Sequence, residues 1–292
     1  MRKTIEMLTV LEIIKRSTEF LAGRGVESAR LNAELLIGHA LALKRMQLYL
    51  QFERLLTEGE LERIRPLVRR RGLREPLQHI LGETEFGGLR LKVDRRALIP
   101  RPETEHMVEL VCQQLAHPPR RILDLGTGSG AIALAMARQY PGAEITACDF
   151  CPAALSLARE NAEANSLSGR VHWVQSDWFA QLPGTRYDLV VANPPYLSEE
   201  EITMAEPEVR EHEPRHALTP GGDGLSALRK ILGAAGSYLE VEGFLALETG
   251  INQHAALLEN ARSDGYGRCE SRQDLTGRDR YIFAWRTSLN PC

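Results

Sequence analysis

The sequence predicts an α/β protein: a doubly wound, largely parallel sheet in its carboxyl-terminal two thirds, preceded by a small all-helical domain. Three observations carry this. Beyond Pro100, short apolar strands alternate with helices of ten to fifteen residues, the texture of repeated βα units. A glycine-rich segment, Asp124 to Gly130, stands between one such strand and its helix. From Leu8 to about Leu81 the apolar residues instead recur at helical spacing, as in Leu11 and Ile14 or Leu31, Leu35 and Leu36.

In the first region Gly23 and Gly25 punctuate the first helix, and Ser28 is expected to cap the second. Thr57 and Glu60 have capping-box spacing for a helix running to about Arg71. Four or five helices are expected in all. Arg63, Arg65, Arg69, Arg70, Arg71 and Arg74 make the end of this bundle basic. Two readings stand: a solvated helix face, or a docking face for an acidic partner or RNA. Thr84 to Val93, with Phe86, Leu89, Leu91 and Val93 alternating around glycines, suits a short hairpin at the domain boundary.

The α/β part reads as strands at Arg121 to Leu125, Glu144 to Cys148, Arg170 to Gln175, Tyr187 to Ala192, Phe244 to Glu248 and near Arg280 to Trp285. Helices are expected at Ala131 to Gln139, at Pro152 to Asn165 with proline in its first turn, and near Leu225 to Leu239.

A formal net charge of -3 argues against a protein that binds nucleic acid mainly by neutralising phosphates. The five cysteines (Cys112, Cys148, Cys151, Cys269 and Cys292) are odd in number and scattered, which suits reduced thiols rather than a disulfide framework. Met1 to Leu11 lacks the pattern of a secretory signal, and no stretch approaches the roughly 18 to 20 apolar residues of a membrane span. A cytoplasmic enzyme is the expectation.

In Asp124-Leu-Gly-Thr-Gly-Ser-Gly130 the glycines let backbone approach a ligand where a Cβ would collide. The next strand ends in Asp149, about twenty residues on, where a carboxylate can accept from both ribose hydroxyls. The spacing discriminates between cofactors. A dinucleotide fingerprint needs glycine at position 131, which is Ala131, although alanine is sometimes accepted there. A P-loop needs lysine followed by Ser or Thr, which is missing. S-adenosylmethionine, with a nucleoside and an amino-acid tail but no phosphate, suits a loop opened by acidic Asp124 and followed by Asp149. Trp178, at the end of the third strand, offers a flat neighbour for adenine and Asp177 a polar one; the alternative is that Trp178 only plugs the core.

The fourth strand runs into Asn193-Pro194-Pro195-Tyr196. A lone Pro-Pro reads first as a rigid strand exit. An amide or aromatic amino nitrogen, however, is a poor nucleophile because its lone pair is delocalised, so an enzyme methylating it must hold the NH2 by its hydrogens. The Asn193 oxygen and the Pro194 carbonyl are two such acceptors, the prolines fix their separation, and Tyr196 can stack on a planar target. This motif points to transfer of a methyl group to a conjugated nitrogen, releasing S-adenosylhomocysteine.

Two motifs are decoys. His212-Glu-Pro-Arg-His216 spells a zinc-protease pattern, but Pro214 prevents the single helix that pattern needs. Cys148-Asp-Phe-Cys151 spells C-x-x-C, but Asp149 disfavours a neighbouring thiolate and no second pair completes a metal site.

Over nearly its full length the chain resembles the N5-glutamine methyltransferases that modify class-1 peptide-chain release factors. The match lies in Leu98-Ile-Pro-Arg-Pro-Glu-Thr-Glu105, Asp124 to Gly130, Ser176 to Phe179 and Asn193 to Tyr196, with support at Gly221 to Leu225, Gly243 to Gly250 and Gly277 to Tyr281. The Pro-Arg-Pro-Glu-Thr-Glu element is the most specific to the family. The resemblance implies a Rossmann-like, seven-stranded class I methyltransferase domain over residues 99–292, a hairpin linker at 84–98, and a helical domain at 1–83 that docks the substrate protein. It implies S-adenosylmethionine contacts at Gly126 to Gly130, Asp149, Trp178 and Asn193, and glutamine contacts at Asn193, Pro194, Pro195 and Tyr196. The implied partner is a class-1 release factor methylated at its Gly-Gly-Gln glutamine, with no direct nucleic acid, membrane or metal. Gly87 departs from the family pattern, where a bulky aromatic often follows Phe86, and bears on hairpin packing. The rivals are a glutamine methyltransferase of a ribosomal protein, an adenine-N6 methyltransferase of nucleic acid, and a non-catalytic binding module.

Overall fold

The computed structural model describes residues 8–287, so residues 1–7 and 288–292, Cys292 among them, lie outside the described residues. The described residues form two compact units, one of 8–82 with Glu206–His212, the other of Glu83–Ala205 with 213–287.

The first unit is helical: α1 (Val10–Ala22), α2 (Ala29–Leu41), α3 (Arg45–Tyr49), α4 (Glu58–Gly72) and α5 (Leu77–Leu81). Reciprocal capping boxes start α1 at Thr9 with Glu12 and α4 at Thr57 with Glu60. Ser28 precedes α2 in a left-handed conformation and makes no side-chain cap, contrary to expectation. The Asn32 amide, one turn in, donates instead to the carbonyls of Glu27 and Ser28. Ile14, Leu21, Leu36, Ile37, Leu48 and Ile64 form the bundle core. Several arginines of the basic stretch are spent on the chain's own acceptors: Arg70 on the Glu75 carboxylate, buried Arg71 on the Asn32 amide oxygen and the Glu208 carboxylate, Arg74 on the carboxylates of Glu206 and Glu208.

The second unit opens with an antiparallel hairpin, β1 (Glu83–Phe86) and β2 (Leu89–Lys92). Its two turn residues, Gly87 and Gly88, both have positive φ (56° and 70°), the requirement of a type I′ turn. A Cβ on Gly87 would sit 3.1 Å from that of Ala135, so glycine suits the turn in this packing. Next come α6 (Pro102–Gln114), β3 (Arg121–Leu125), α7 (Ala131–Gln139), β4 (Glu144–Asp149), α8 (Pro152–Ala164), β5 (Val171–Gln175) and β6 (Tyr187–Ala192). After the short helices α9 (Glu199–Met204), α10 (Pro207–His212, in the first unit) and α11 (Arg215–Leu218), the unit closes with α12 (Ser226–Tyr238), β7 (Leu239–Glu248), α13 (His254–Ser263), β8 (Arg268–Gln273) and β9 (Asp279–Trp285).

The strands form one seven-stranded sheet in the order β5-β4-β3-β6-β7-β9-β8, with β9 antiparallel to both neighbours and the rest parallel. Apolar clusters cover both of its faces, as expected of a doubly wound sheet. The order reverses direction at β3, between β4 and β6. That is the topological switch point, and ligands of such folds bind in the crevice beyond the carboxyl ends of the strands there. No helix of the described residues is long and apolar enough to cross a membrane.

Candidate active site

Beyond β3, β4 and β6 lies a cavity of about 630 Å³, the size of a cofactor site. Gly126, Thr127, Gly128, Ser129, Asp149, Trp178, Asn193 and Pro195 all line it. Gly130, Pro194 and Tyr196 do not line the wall. Gly130 starts α7 with φ 84°, where a Cβ would press on Ala158 and Trp173. Pro194 is buried, and Tyr196 turns toward Glu248.

The loop is held from below. Gly126 and Thr127 donate their amides to the Cys148 carbonyl, both at 2.9 Å. Asp124 accepts from the Thr127 hydroxyl at 2.6 Å and the Ala133 amide at 3.1 Å through one oxygen, while its other oxygen is buried without a hydrogen-bond partner. Asp149 takes the Gly128 amide on one oxygen and the Cys151 amide on the other, each at 2.9 Å. Each carboxylate oxygen has a second lone pair, so Asp149 still has acceptor capacity to offer at the cavity.

Burial is the main cause of the raised pKa of Asp124, which reaches about 7, with the Asp149 charge adding to it. The sign follows from linkage. A carboxyl whose folded pKa lies above its unfolded value of about 4 contributes stability below pH 4 that is lost as pH rises through 7. Between pH 5 and 8 the ligand-free protein is expected to lose on the order of 3 kcal/mol from this group. Asp124→Asn retains an acceptor for Thr127 and Ala133, and denaturant unfolding of this variant should show a flatter pH slope. A slope equal to the parent's would contradict the assignment.

Trp178 has φ 52°, rare for a bulky residue, and its carbonyl is fixed by the Ser176 hydroxyl at 2.7 Å. The indole is half-buried: it packs against one core cluster and also faces the cavity, stacked so near Gly126 that a Cβ there would come within 3.3 Å. Asp177 is exposed and paired with Lys230 Nζ at 2.9 and 3.0 Å, so a ligand would meet this ion pair rather than a bare carboxylate.

Asn193 Nδ2 donates to Thr104 Oγ1 at 2.9 Å, and Thr104 Oγ1 donates to Glu248 Oε2 at 2.6 Å. The Tyr196 hydroxyl donates to Glu248 Oε1 at 3.0 Å, and Arg280 lies over its ring at 6.0 Å from the centroid. Burial raises the pKa of Glu248, and burial with the Glu248 charge holds the Tyr196 proton on its oxygen. Sequence reasoning missed this cluster. Thr104 was visible only as a motif letter, and Glu248 only as the last residue of an apolar strand.

The segment after β6 also depends on Gly224. It has φ 76°, and a Cβ there would collide with the Tyr196 carbonyl oxygen, which accepts from Gln253 at 2.9 Å. Gly224→Ala combines a left-handed alanine with a backbone collision and is expected to cost roughly 2–4 kcal/mol. Thermal melting checks this; an unchanged midpoint would contradict the packing.

The two decoy motifs have other occupations. Pro214 separates α10 from α11, and Glu213 is buried with one oxygen on Arg101 at 2.6 Å. Cys148 and Cys151 are both free thiols, and burial pushes Cys148 up to about 12.

Comparison with known proteins agrees with this architecture. Residues 12–82 match the PrmC N-terminal domain, and residues 103–248 the methyltransferase small domain. The release factor glutamine methyltransferase of Geobacter sulfurreducens is 42% identical over 277 residues, covering 95% of this chain and 96% of that one. Its counterpart in Deinococcus radiodurans is 41% identical, covering 94% and 98%. Among solved structures, the hMettl16 catalytic domain, in complex with MAT2A 3'UTR hairpin 6, overlays with a TM-score of 0.58 at 20% identity, covering 77% of this chain and 83% of that one. That likeness concerns the fold alone. On the identity and coverage of its relatives, the chain belongs to the release factor glutamine methyltransferases.

Proposed function

We propose that this enzyme transfers a methyl group from S-adenosylmethionine to the side-chain amide nitrogen of the glutamine in the Gly-Gly-Gln motif of a class-1 release factor. The observation that carries the reading is the presence of Asn193 on the wall of the cavity that the glycine loop and Asp149 also line. A donor site and an amide-holding group thus share one cavity at the switch point of the sheet.

The residues present fit the donor. Positive-φ glycines at 126 and 128 keep the cradle free of side chains, Asp149 has lone pairs for the ribose, and Trp178 offers a flat face for the base. When bound, S-adenosylmethionine supplies an electrophilic methyl group on a sulfonium. The chain's part is binding, orientation and electrostatics. Asn193 accepts one N–H of the glutamine amide and the carbonyl of Pro194, a buried residue whose neighbours Asn193 and Pro195 line the cavity, accepts the other, so that the nitrogen lone pair is aimed at the methyl carbon. Both acceptors gain strength as positive charge grows on nitrogen, and one N–H proton then leaves to solvent. Tyr196 is not the base, because its hydroxyl is committed to Glu248. The helical unit is the proposed docking element for the release factor.

Tandem mass spectrometry of a release factor incubated with enzyme and donor tests the reading. A single added methyl on the Gly-Gly-Gln glutamine is expected. A methyl located on any other residue would refute it.

A further inference from the structure

Asn193 carries the proposed chemistry only if its amide faces the right way. An asparagine side chain has two nearly isosteric ends, one accepting and one donating, and only the oxygen can receive an N–H from a substrate amide. Asn193 is the first residue after β6 and is half-exposed, so the strand alone does not fix its amide rotation. The selection has to come from its neighbours.

Those neighbours form a directional chain. Glu248 is fully buried at the end of β7, and as a carboxylate it can only accept. Its two oxygens receive two hydroxyls, Thr104 at 2.6 Å and Tyr196 at 3.0 Å. Thr104 is buried in the first turn of α6, and its single hydroxyl proton is spent on Glu248. What Thr104 Oγ1 has left is acceptor capacity. The group of Asn193 that faces it at 2.9 Å must therefore be the NH2, and the amide oxygen points away from Thr104. An acceptor-only anion at one end thus sets the polarity of every hydrogen bond up to the substrate-facing group.

We propose that Glu248 and Thr104 are positioning residues, a relay that locks the Asn193 side chain with its NH2 on Thr104 and its oxygen presented to the glutamine amide. The proposal rests on the functional reading above and deepens it. The same carboxylate holds the Tyr196 hydroxyl, so one buried group ties down both ends of the tetrapeptide that follows β6. Burial raises the pKa of Glu248, and the two hydroxyl donors and the nearby positive charge of Arg280 counter that cost in part.

The test is a mutant cycle read in methyl transfer to the release factor under saturating donor. Thr104→Val keeps the shape and removes the relay. Transfer should slow roughly tenfold to a hundredfold, mostly in kcat, as expected when a positioned group loses its orientation. Thr104→Ser restores the hydroxyl and should return the rate to within about threefold of the parent, on the scale of an ordinary packing defect. In the Asn193→Ala background, Thr104→Val should cost nothing further, because the group it orients has gone. If Thr104→Val does not fold, Thr104→Cys, with its weak donor and acceptor, takes its place. A near-parental rate in Thr104→Val, or the same loss repeated in the Asn193→Ala background, would overturn the relay. Either outcome differs from failure of the underlying reading, in which the unmodified enzyme itself would not methylate the glutamine.

Discussion

Replacing Asn193 by alanine is expected to slow methyl transfer at least a hundredfold while donor affinity changes only modestly. Its amide nitrogen is held by Thr104, which leaves the amide oxygen for the substrate. Loss of one preorganised hydrogen-bond partner at a site of developing charge costs roughly a hundredfold to a thousandfold in turnover. The glycine loop follows β3 and Asp149 ends β4, apart from Asn193 after β6, so the donor should still bind. Single-turnover transfer and calorimetric titration of the donor separate the two effects. Near-normal turnover in the variant would sink the proposed mechanism.

The second large effect is expected at Asp149, where alanine should weaken donor binding roughly tenfold to a hundredfold. Hydrogen bonds to a charged acceptor contribute about 1.5–3 kcal/mol, and the ribose is expected to make them. The residue also has a structural task. It accepts the Gly128 and Cys151 amides, so its removal frees the middle of the glycine loop and the start of α8 together. Both losses act on the donor and neither acts directly on the glutamine. Unchanged donor affinity in calorimetry would remove Asp149 from the site.

These two residues were legible in the sequence because strand-end positions next to glycine or proline motifs are set by local backbone rules. The glycine loop and Asn193 each follow, and Asp149 ends, a strand whose apolar run is visible in one dimension. The elements that were not legible lack such local signals. The strand β8, Arg-Cys-Glu-Ser-Arg-Gln, is polar along its length and pairs only at the sheet edge, so no alternation or apolar run marks it. The helices α6 and α13 went unread beside clearer motifs. The return of Glu206–His212 to the helical unit is a tertiary event, stabilised by Arg71 and Arg74 on Glu206 and Glu208, and those arginines read in sequence only as a basic run.

The site shows the same division. The glycine loop, Asp149, Trp178, Asn193 and Pro195 on the cavity wall were named as site residues from the sequence, whereas Arg96, Ala97 and Arg101 on the same wall, and the Thr104 and Glu248 relay, were not. Its members lie 89 and 144 positions apart along the chain, as Asn193 to Thr104 and Thr104 to Glu248. Tyr196 illustrates the converse. Its place in the tetrapeptide suggested a stacking platform, but its hydroxyl is drawn to Glu248 and the ring does not line the cavity. Tyr196 therefore braces this segment through Glu248 while Asn193 and Pro195 line the cavity.

The most direct test of the central claim is transfer of radiolabelled methyl from S-adenosylmethionine to three acceptors: purified release factor, the same factor with its Gly-Gly-Gln glutamine replaced, and undermethylated DNA. Label on the unaltered release factor alone is the predicted result. Label that persists on the glutamine-replaced factor, or that appears on DNA, would contradict it.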